Sequence, residues 1–416
     1  MQRVVITGIG AVTPIGNNVA EYTAGLRAGR NGAAPITQFD AANFKTQFAC
    51  EVKDLDAETV LDKREIRRLD RYAVLALVSA HEAMQMAGLL EEGSFDQDRA
   101  GVIFASGIGG LTSLEKEIED YTNGDGTPRY NPFMIPKMIG NMGAGHISMQ
   151  FNLRGPSFGT VSACASAGHA LGVACDDIRL GRADIMLAGG SEAVINKVAI
   201  GGFNSMKALS TRNDDYATAS RPYDADREGF VLGEGAGTFV LESLEHAQAR
   251  GATILAEVIG YAASSDAYHI SAPHPEGIGA RNVMVNAMKY AGIDAAEVDY
   301  INTHGTSTPL GDVAELKAIQ QAFGDHVYDL SISSTKSMTG HLLGAAAAIE
   351  AIACVIAIRE GFVPPTINHF TDDPAIDSRL DLTFNEAREK EINVAVSNTF
   401  GFGGHNSAAV FRKFIA

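Results

Sequence analysis

Short β-branched and apolar runs alternate along this chain with longer stretches whose apolar positions recur every three or four residues. The first pattern is that of a buried strand, the second that of a helix with one face turned to a core. In the first half, strands are predicted at residues 3–7, 101–105, 158–161, 184–190 and 237–241. Helices are predicted at 17–28, at 72–87 and from just after Cys164 to about Gly181. From about Gly251 the succession starts afresh, with strands at 255–262, 299–303, 330–334, 393–397 and 408–412 and helices at 280–291, 313–323 and 342–360.

Alternating strands and helices predict an α/β fold, and their recurrence predicts internal duplication. Two units are expected, residues 1–250 and 251–416, each a mixed sheet covered by helices. No linker or low-complexity stretch parts them, so one compact body is expected. Gly8-x-Gly10 after the first strand resembles the start of a dinucleotide fingerprint. Thr13 holds the place of the third glycine and no acidic residue follows at the required distance, so that reading is rejected.

Composition narrows the field. The 416 residues are 46% hydrophobic and carry a net charge of −17, which argues against general affinity for nucleic acid or an anionic membrane. The apolar run 342–358 is interrupted by Glu350 and reads as a buried helix rather than a span. The N-terminus reads as a strand and turn without a leader pattern, and Cys50, Cys164, Cys175 and Cys354 form no C-x-x-C pair. A reducing, cytoplasmic setting is expected, with no metal. Within this acidic chain, residues 63–71 (KREIRRLDR) are the densest basic cluster. On one ideal helix their basic side chains fall within an arc of about 140°, opposite Ile66, Leu69 and Tyr72, which suits an acidic partner.

The candidate chemistry converges on Ser162-Ala163-Cys164-Ala165-Ser166. Small neighbours leave room beside the sulfur, and a helix N-terminus offers free N–H groups to a thiolate or an oxyanion. Three more stretches end predicted strands, where open α/β sheets place ligands. They are the segments of His304 (NTHGTSTP), of Lys336 and His341 (STKSMTGH), and NTFGFGGH at 398–405. A cysteine with two imidazoles is an inventory for acyl transfer.

These motifs, in this order and over essentially the whole chain, resemble the β-ketoacyl-[acyl carrier protein] synthases. Ser106-Gly107-Ile108-Gly109-Gly110 and Leu209-Ser210-Thr211-Arg212-Asn213-Asp214 resemble more narrowly the synthase II group, the type II condensing enzymes of fatty-acid elongation. The resemblance implies a thiolase fold with layers α-β-α-β-α, a homodimer, and decarboxylative Claisen condensation on substrates borne by the phosphopantetheine arm of acyl carrier protein, without a cofactor. It implies Cys164 as nucleophile, His304 and His341 as donors for decarboxylation, Lys336 with Glu350 in support, and the Cys164 and Phe402 N–H groups as an oxyanion hole. Thr306 and Thr308 are expected on the pantetheine arm. Phe400, Gly401, Phe402 and Gly403 are expected to form a gate. Ile108 is expected at the far end of the acyl pocket against the dimer partner, and Lys63, Arg64, Arg67, Arg68 and Arg71, with Lys207 and Arg212, on the carrier protein. His405 stands where many relatives carry threonine, and Ala165 and Ala167 are smaller than some counterparts; none of these removes a catalytic group. A biosynthetic thiolase would need a second cysteine after Cys354, a starter-unit enzyme would have Cys-His-Asn, and a non-catalytic chain-length subunit would lack Cys164. A type I elongation synthase or a polyketide ketosynthase shares the same chemistry.

Overall fold

The strands of the first half assemble into a five-stranded mixed sheet. In chain order they are β1 (Val4–Val12), β2 (Ala100–Ala105), β3 (Ser157–Phe158), β4 (Ile185–Glu192) and β5 (Gly235–Ser243). In the computed structural model, which describes residues 1–91 and 93–415, they lie in the order β3-β2-β4-β5-β1. β2 is parallel to β3 and β4, whereas β5 is antiparallel to β4 and to β1. The second half supplies β6 (Ala256–Ser265), β7 (Tyr300–Asn302), β8 (Ser331–Ser333), β9 (Val394–Gly401) and β10 (His405–Arg412). Their order is β8-β7-β9-β10-β6, with the same sequence of parallel and antiparallel pairs. In each half the order is therefore third, second, fourth, fifth, first. The two five-stranded sheets expected from the sequence meet edge to edge through their first strands, Val5 opposite Glu257 and Ile6 opposite Ala256, so their strands form one continuous run of ten.

Seven helices matter for the site: α1 (Lys63–Arg68), α2 (Arg71–Met86), α3 (Met142–Phe151), α4 (Ser166–Arg179), α5 (Ile278–Ala291), α6 (Pro309–Phe323) and α7 (Ala346–Glu360). α4 and α7 pack on each other and touch strands of both halves, so they form the middle layer. α2 and α3 cover the outer face of the first half, and α5 with α6 covers that of the second. β1, β4 and β5 are buried at every position, as strands covered on both faces must be. α7 is buried continuously from Ala346 to Ile358, which explains an apolar run without an amphipathic period. No helix among the described residues is long and apolar enough to cross a membrane.

Gly8 and Gly10, in the middle of β1, have a packing role. A Cβ on Gly8 would fall 2.1 Å from the Ala83 carbonyl oxygen, and one on Gly10 would fall 1.9 Å from that of Ser79. They let α2 lie directly on the strand. Predicted boundaries shift for local reasons. The strand expected at 158–161 ends at Phe158, because the chain turns at Ala163, whose φ is 50°. α6 starts at Pro309 rather than 313, since proline is pre-set for a first helical turn. The helix expected at 342–360 begins with a 3₁₀ turn, Leu343–Ala345.

The basic segment departs most from expectation. α1 opens with a capping box between Asp62 and Glu65 and ends at Leu69, after which Asp70 caps α2. Arg71 is thereby turned inward onto the wholly buried Glu234 at 2.7 Å. Lys63, Arg64, Arg67 and Arg68 remain exposed on α1.

Candidate active site

Cys164 stands just ahead of α4, lifted by the left-handed Ala163. The turn is closed from within: the Ser162 N–H donates to Ser166 Oγ at 2.8 Å, and Ser166 Oγ donates to the Ala163 carbonyl at 2.6 Å. The second half brings its strand ends to the same place. His304 follows β7, Lys336 and His341 follow β8, and Phe402 lies between β9 and β10.

His341 Nε2 lies 3.0 Å from Cys164 Sγ. The His304 and His341 rings meet edge to face at 5.3 Å, and the sulfur and both imidazoles present donor atoms within 4.8 Å of one another. Phe230 stacks edge-on against His341 and Phe400 leans on His304. The Nδ1 atoms of both histidines are buried without a partner among the described residues. An unpartnered lone pair costs less than an unpartnered N–H, which assigns the proton of each neutral ring to Nε2, on the cavity side.

Charge sets the protonation states. Lys336 and Glu350 form an ion pair with both side chains almost wholly buried, and beyond this contact neither has a hydrogen-bond partner among the described residues. Burial, and then the Lys336 charge, holds both imidazoles well below their ordinary 6.5, with His341 adding to the effect on His304. Burial pushes the Cys164 thiol up to about 12, against the pull of Lys336 and of the Phe402 N–H beside the sulfur. The resting group is a thiol. The helix N-terminus does not overcome desolvation here.

The sulfur and both imidazoles open onto a cavity of about 690 Å³. Thr306, Thr308, Phe400, Gly401, Phe402, Ile108 and Lys207 line it too. The Thr306 and Thr308 hydroxyls are 3.0 Å apart. Gly401 lies against the Cys164 turn, where a Cβ would fall 2.7 Å from the Ser162 carbonyl oxygen. Gly403 has a φ of 85°, a conformation that favours glycine in this loop. Lys63, Arg64, Arg67 and Arg68 are not brought into the cavity. The three arginines line a separate groove with Asn131, Pro132 and Phe133, where the Arg68 guanidinium lies 5.3 Å from the Phe133 ring.

Sequence reasoning did not anticipate two buried acids. Glu315, on α6, accepts the backbone N–H groups of His304 and Gly305 at 2.8 and 2.7 Å, and burial pushes it up to about 8. Glu192 ends β4. The signal for Glu315 was an acid on the apolar face of a predicted helix.

Comparison with known proteins places this geometry. Residues 1–247 match the model for the beta-ketoacyl synthase N-terminal domain, and residues 255–370 match that for the C-terminal domain. The chain belongs to the beta-ketoacyl synthase family. It is 48% identical over 413 residues to a 3-oxoacyl-[acyl-carrier-protein] synthase 2 of Synechocystis sp., covering 99% of this chain and 98% of that protein. Among solved structures, the ishigamide ketosynthase/chain length factor matches with a TM-score of 0.93 at 36% identity, covering 100% of both chains. A type II polyketide ketosynthase, solved with its acyl-carrier protein and bound to a hexaketide, matches at 0.91 and 34%, again over 100% of both chains.

A buried resting thiol on an open cavity has a chemical signature. Iodoacetamide should label Cys164 well before Cys50, Cys175 or Cys354, at a rate that climbs through the alkaline range without levelling off. Peptide mass spectrometry against pH measures both. A plateau already at neutral pH would mean a resting thiolate and contradict this assignment.

Proposed function

We infer that this protein catalyses the decarboxylative Claisen condensation of acyl-[acyl carrier protein] with malonyl-[acyl carrier protein] in fatty-acid elongation. The products are 3-oxoacyl-[acyl carrier protein], carbon dioxide and free carrier protein. The observation that carries the reading is the Cys164 sulfur 3.0 Å from His341 Nε2, with His304 beside it, on a cavity that also reaches Ile108.

Cys164 takes the acyl group: its S–C bond forms as the carrier thioester breaks, and the thiol proton ends on the departing carrier sulfur. Malonyl carrier then enters past Thr306 and Thr308. Loss of its carboxylate as carbon dioxide moves an electron pair toward the thioester oxygen, where the Nε2–H groups of His304 and His341 stabilise the enolate. Imidazolium rings would be stronger donors, but they would protonate the enolate; neutral rings stabilise it without quenching it. The enolate carbon attacks the acyl-cysteine, and the N–H groups of Cys164 and Phe402 hold the oxyanion before the C–S bond breaks and the released sulfur takes a proton from water to return to the thiol. One such donor is worth about 3 kcal/mol, roughly 10²-fold in rate. The glycines beside Phe402 let its ring open and close the cavity between the two half-reactions.

The roles separate experimentally. Cys164→Ala should abolish condensation and retain malonyl decarboxylation, whereas His304→Ala or His341→Ala should lose both. Condensation surviving in Cys164→Ala, or acyl label on Cys175 or Cys354, would sink the reading.

The same reading names partners. Lys63, Arg64, Arg67 and Arg68 on α1, and Lys207 at the cavity, are exposed cations on a chain of charge −17, suited to an acidic carrier protein. Reversing charge at Arg67 and Lys207 should raise KM for carrier-borne substrates, weaken the salt dependence, and spare a short pantetheine thioester. Equal damage to both substrates would make the patch structural. A homodimer is supported by exposed Ile118, Tyr121, Ile135, Met149, Phe158 and Val161, clustered in sequence around the short edge strand β3. Sedimentation should give twice 43.9 kDa, and a monomer at micromolar concentration would contradict it.

A further inference from the structure

Glu192 ends β4 with its side chain wholly buried, and the chemistry above gives it no role. Its carboxylate gathers donors from two segments distant in sequence. Oε1 accepts from Ser106 Oγ at 2.9 Å and from the Ile108 N–H at 3.2 Å. Oε2 accepts from the N–H groups of Gly107 and Gly344, each at 2.9 Å. Ser106 Oγ in turn accepts from the Gly109 N–H at 3.0 Å. The turn that presents Ile108 to the cavity is thus wound around one carboxylate. Gly344 follows closely on His341 and leads into α7, which carries Glu350 to Lys336.

The two segments touch because both contact points lack a side chain. A Cβ on Gly344 would fall 2.2 Å from Gly107 N, and one on Gly107 would fall 2.7 Å from Glu192 Oε2. Only an ionised carboxylate accepts from all four donors at once, since protonation turns one oxygen into a donor facing an N–H. Burial pushes Glu192 from its ordinary 4.5 up to about 7, with the four hydrogen bonds pulling the other way. The full set of bonds is therefore present above neutral pH, and one acceptor is lost as pH falls through about 7.

We propose that Glu192 is a positioning residue that ties the acyl-pocket turn at Ile108 to the His341 segment, so that primer-length selection and placement of the imidazole are set together. The proposal rests on reading the Cys164 cavity as an acyl pocket. A long acyl chain must push Ile108 aside, and doing so pulls the Gly107 and Ile108 N–H groups off the carboxylate they share with Gly344. A firm hold resists long primers. A loosened one lets the turn yield.

The test compares hexanoyl- and hexadecanoyl-carrier protein as primers, reading kcat/KM for each. Glu192→Gln should lower both values while raising the long-to-short ratio about tenfold, the scale of one hydrogen bond to a charged group. Ser106→Ala, which removes one of the four donors to the carboxylate together with the acceptor of the Gly109 N–H, should raise the ratio less and in the same direction. In the unmodified protein the ratio should climb as pH falls below neutral, and in Glu192→Gln it should be flat. If Glu192→Gln does not fold, Ser106→Ala and the pH series of the unmodified protein decide. A ratio unchanged or lowered in the folded variants and flat with pH overturns the proposal. Failure of the unmodified protein to condense any primer would instead overturn the functional reading beneath it.

Discussion

The buried ion pair between Lys336 and Glu350 is the constraint on which the site depends. An ammonium in that position is tolerable only opposite a carboxylate, and removing either partner would leave an uncompensated charge, a loss of about 3–5 kcal/mol. Its value to the protein is electrostatic rather than adhesive. From below the cavity the Lys336 charge opposes protonation of both imidazoles and draws the Cys164 thiol toward ionisation. Burial pushes Glu350 itself up to about 7, against the pull of Lys336. Two neutral N–H donors are what an enolate-forming step requires.

The architecture exists to bury that pair. Only a helix enclosed on all sides can carry a glutamate where α7 carries Glu350, and only a layer between two sheets encloses a helix so completely. Duplication supplies both sheets. The first half contributes Cys164 at the head of α4 and the turn at Ile108. The second contributes the imidazoles, the lysine and the Phe402 loop from the ends of β7, β8 and β9. Neither half alone holds a reactive set.

Much of this was legible in the sequence. The strands of each half show as β-branched runs, and the reactive residues stand in long motifs at strand ends. Strand order was not legible, because it follows from non-local pairing that no local pattern encodes. Arg71 reads as part of a basic face, yet its partner Glu234 lies 163 residues away. The break before it was recoverable: Asp62 with Glu65 marks one helix start and Asp70 the next. Glu192 was hidden for another reason. A polar residue at the end of an apolar strand reads as the edge of a loop, and only the folded structure brings Gly107 and Gly344 to its oxygens.

Both imidazoles stay neutral over the working range because burial, and then the Lys336 charge, oppose the charged form. Nitrogen NMR of histidine-labelled protein, with His304 and His341 assigned by single substitution, follows ring protonation from about pH 8 to about pH 5. Both rings should remain neutral throughout, protonated at Nε2. Either ring titrating with a midpoint near the ordinary 6.5 would contradict it.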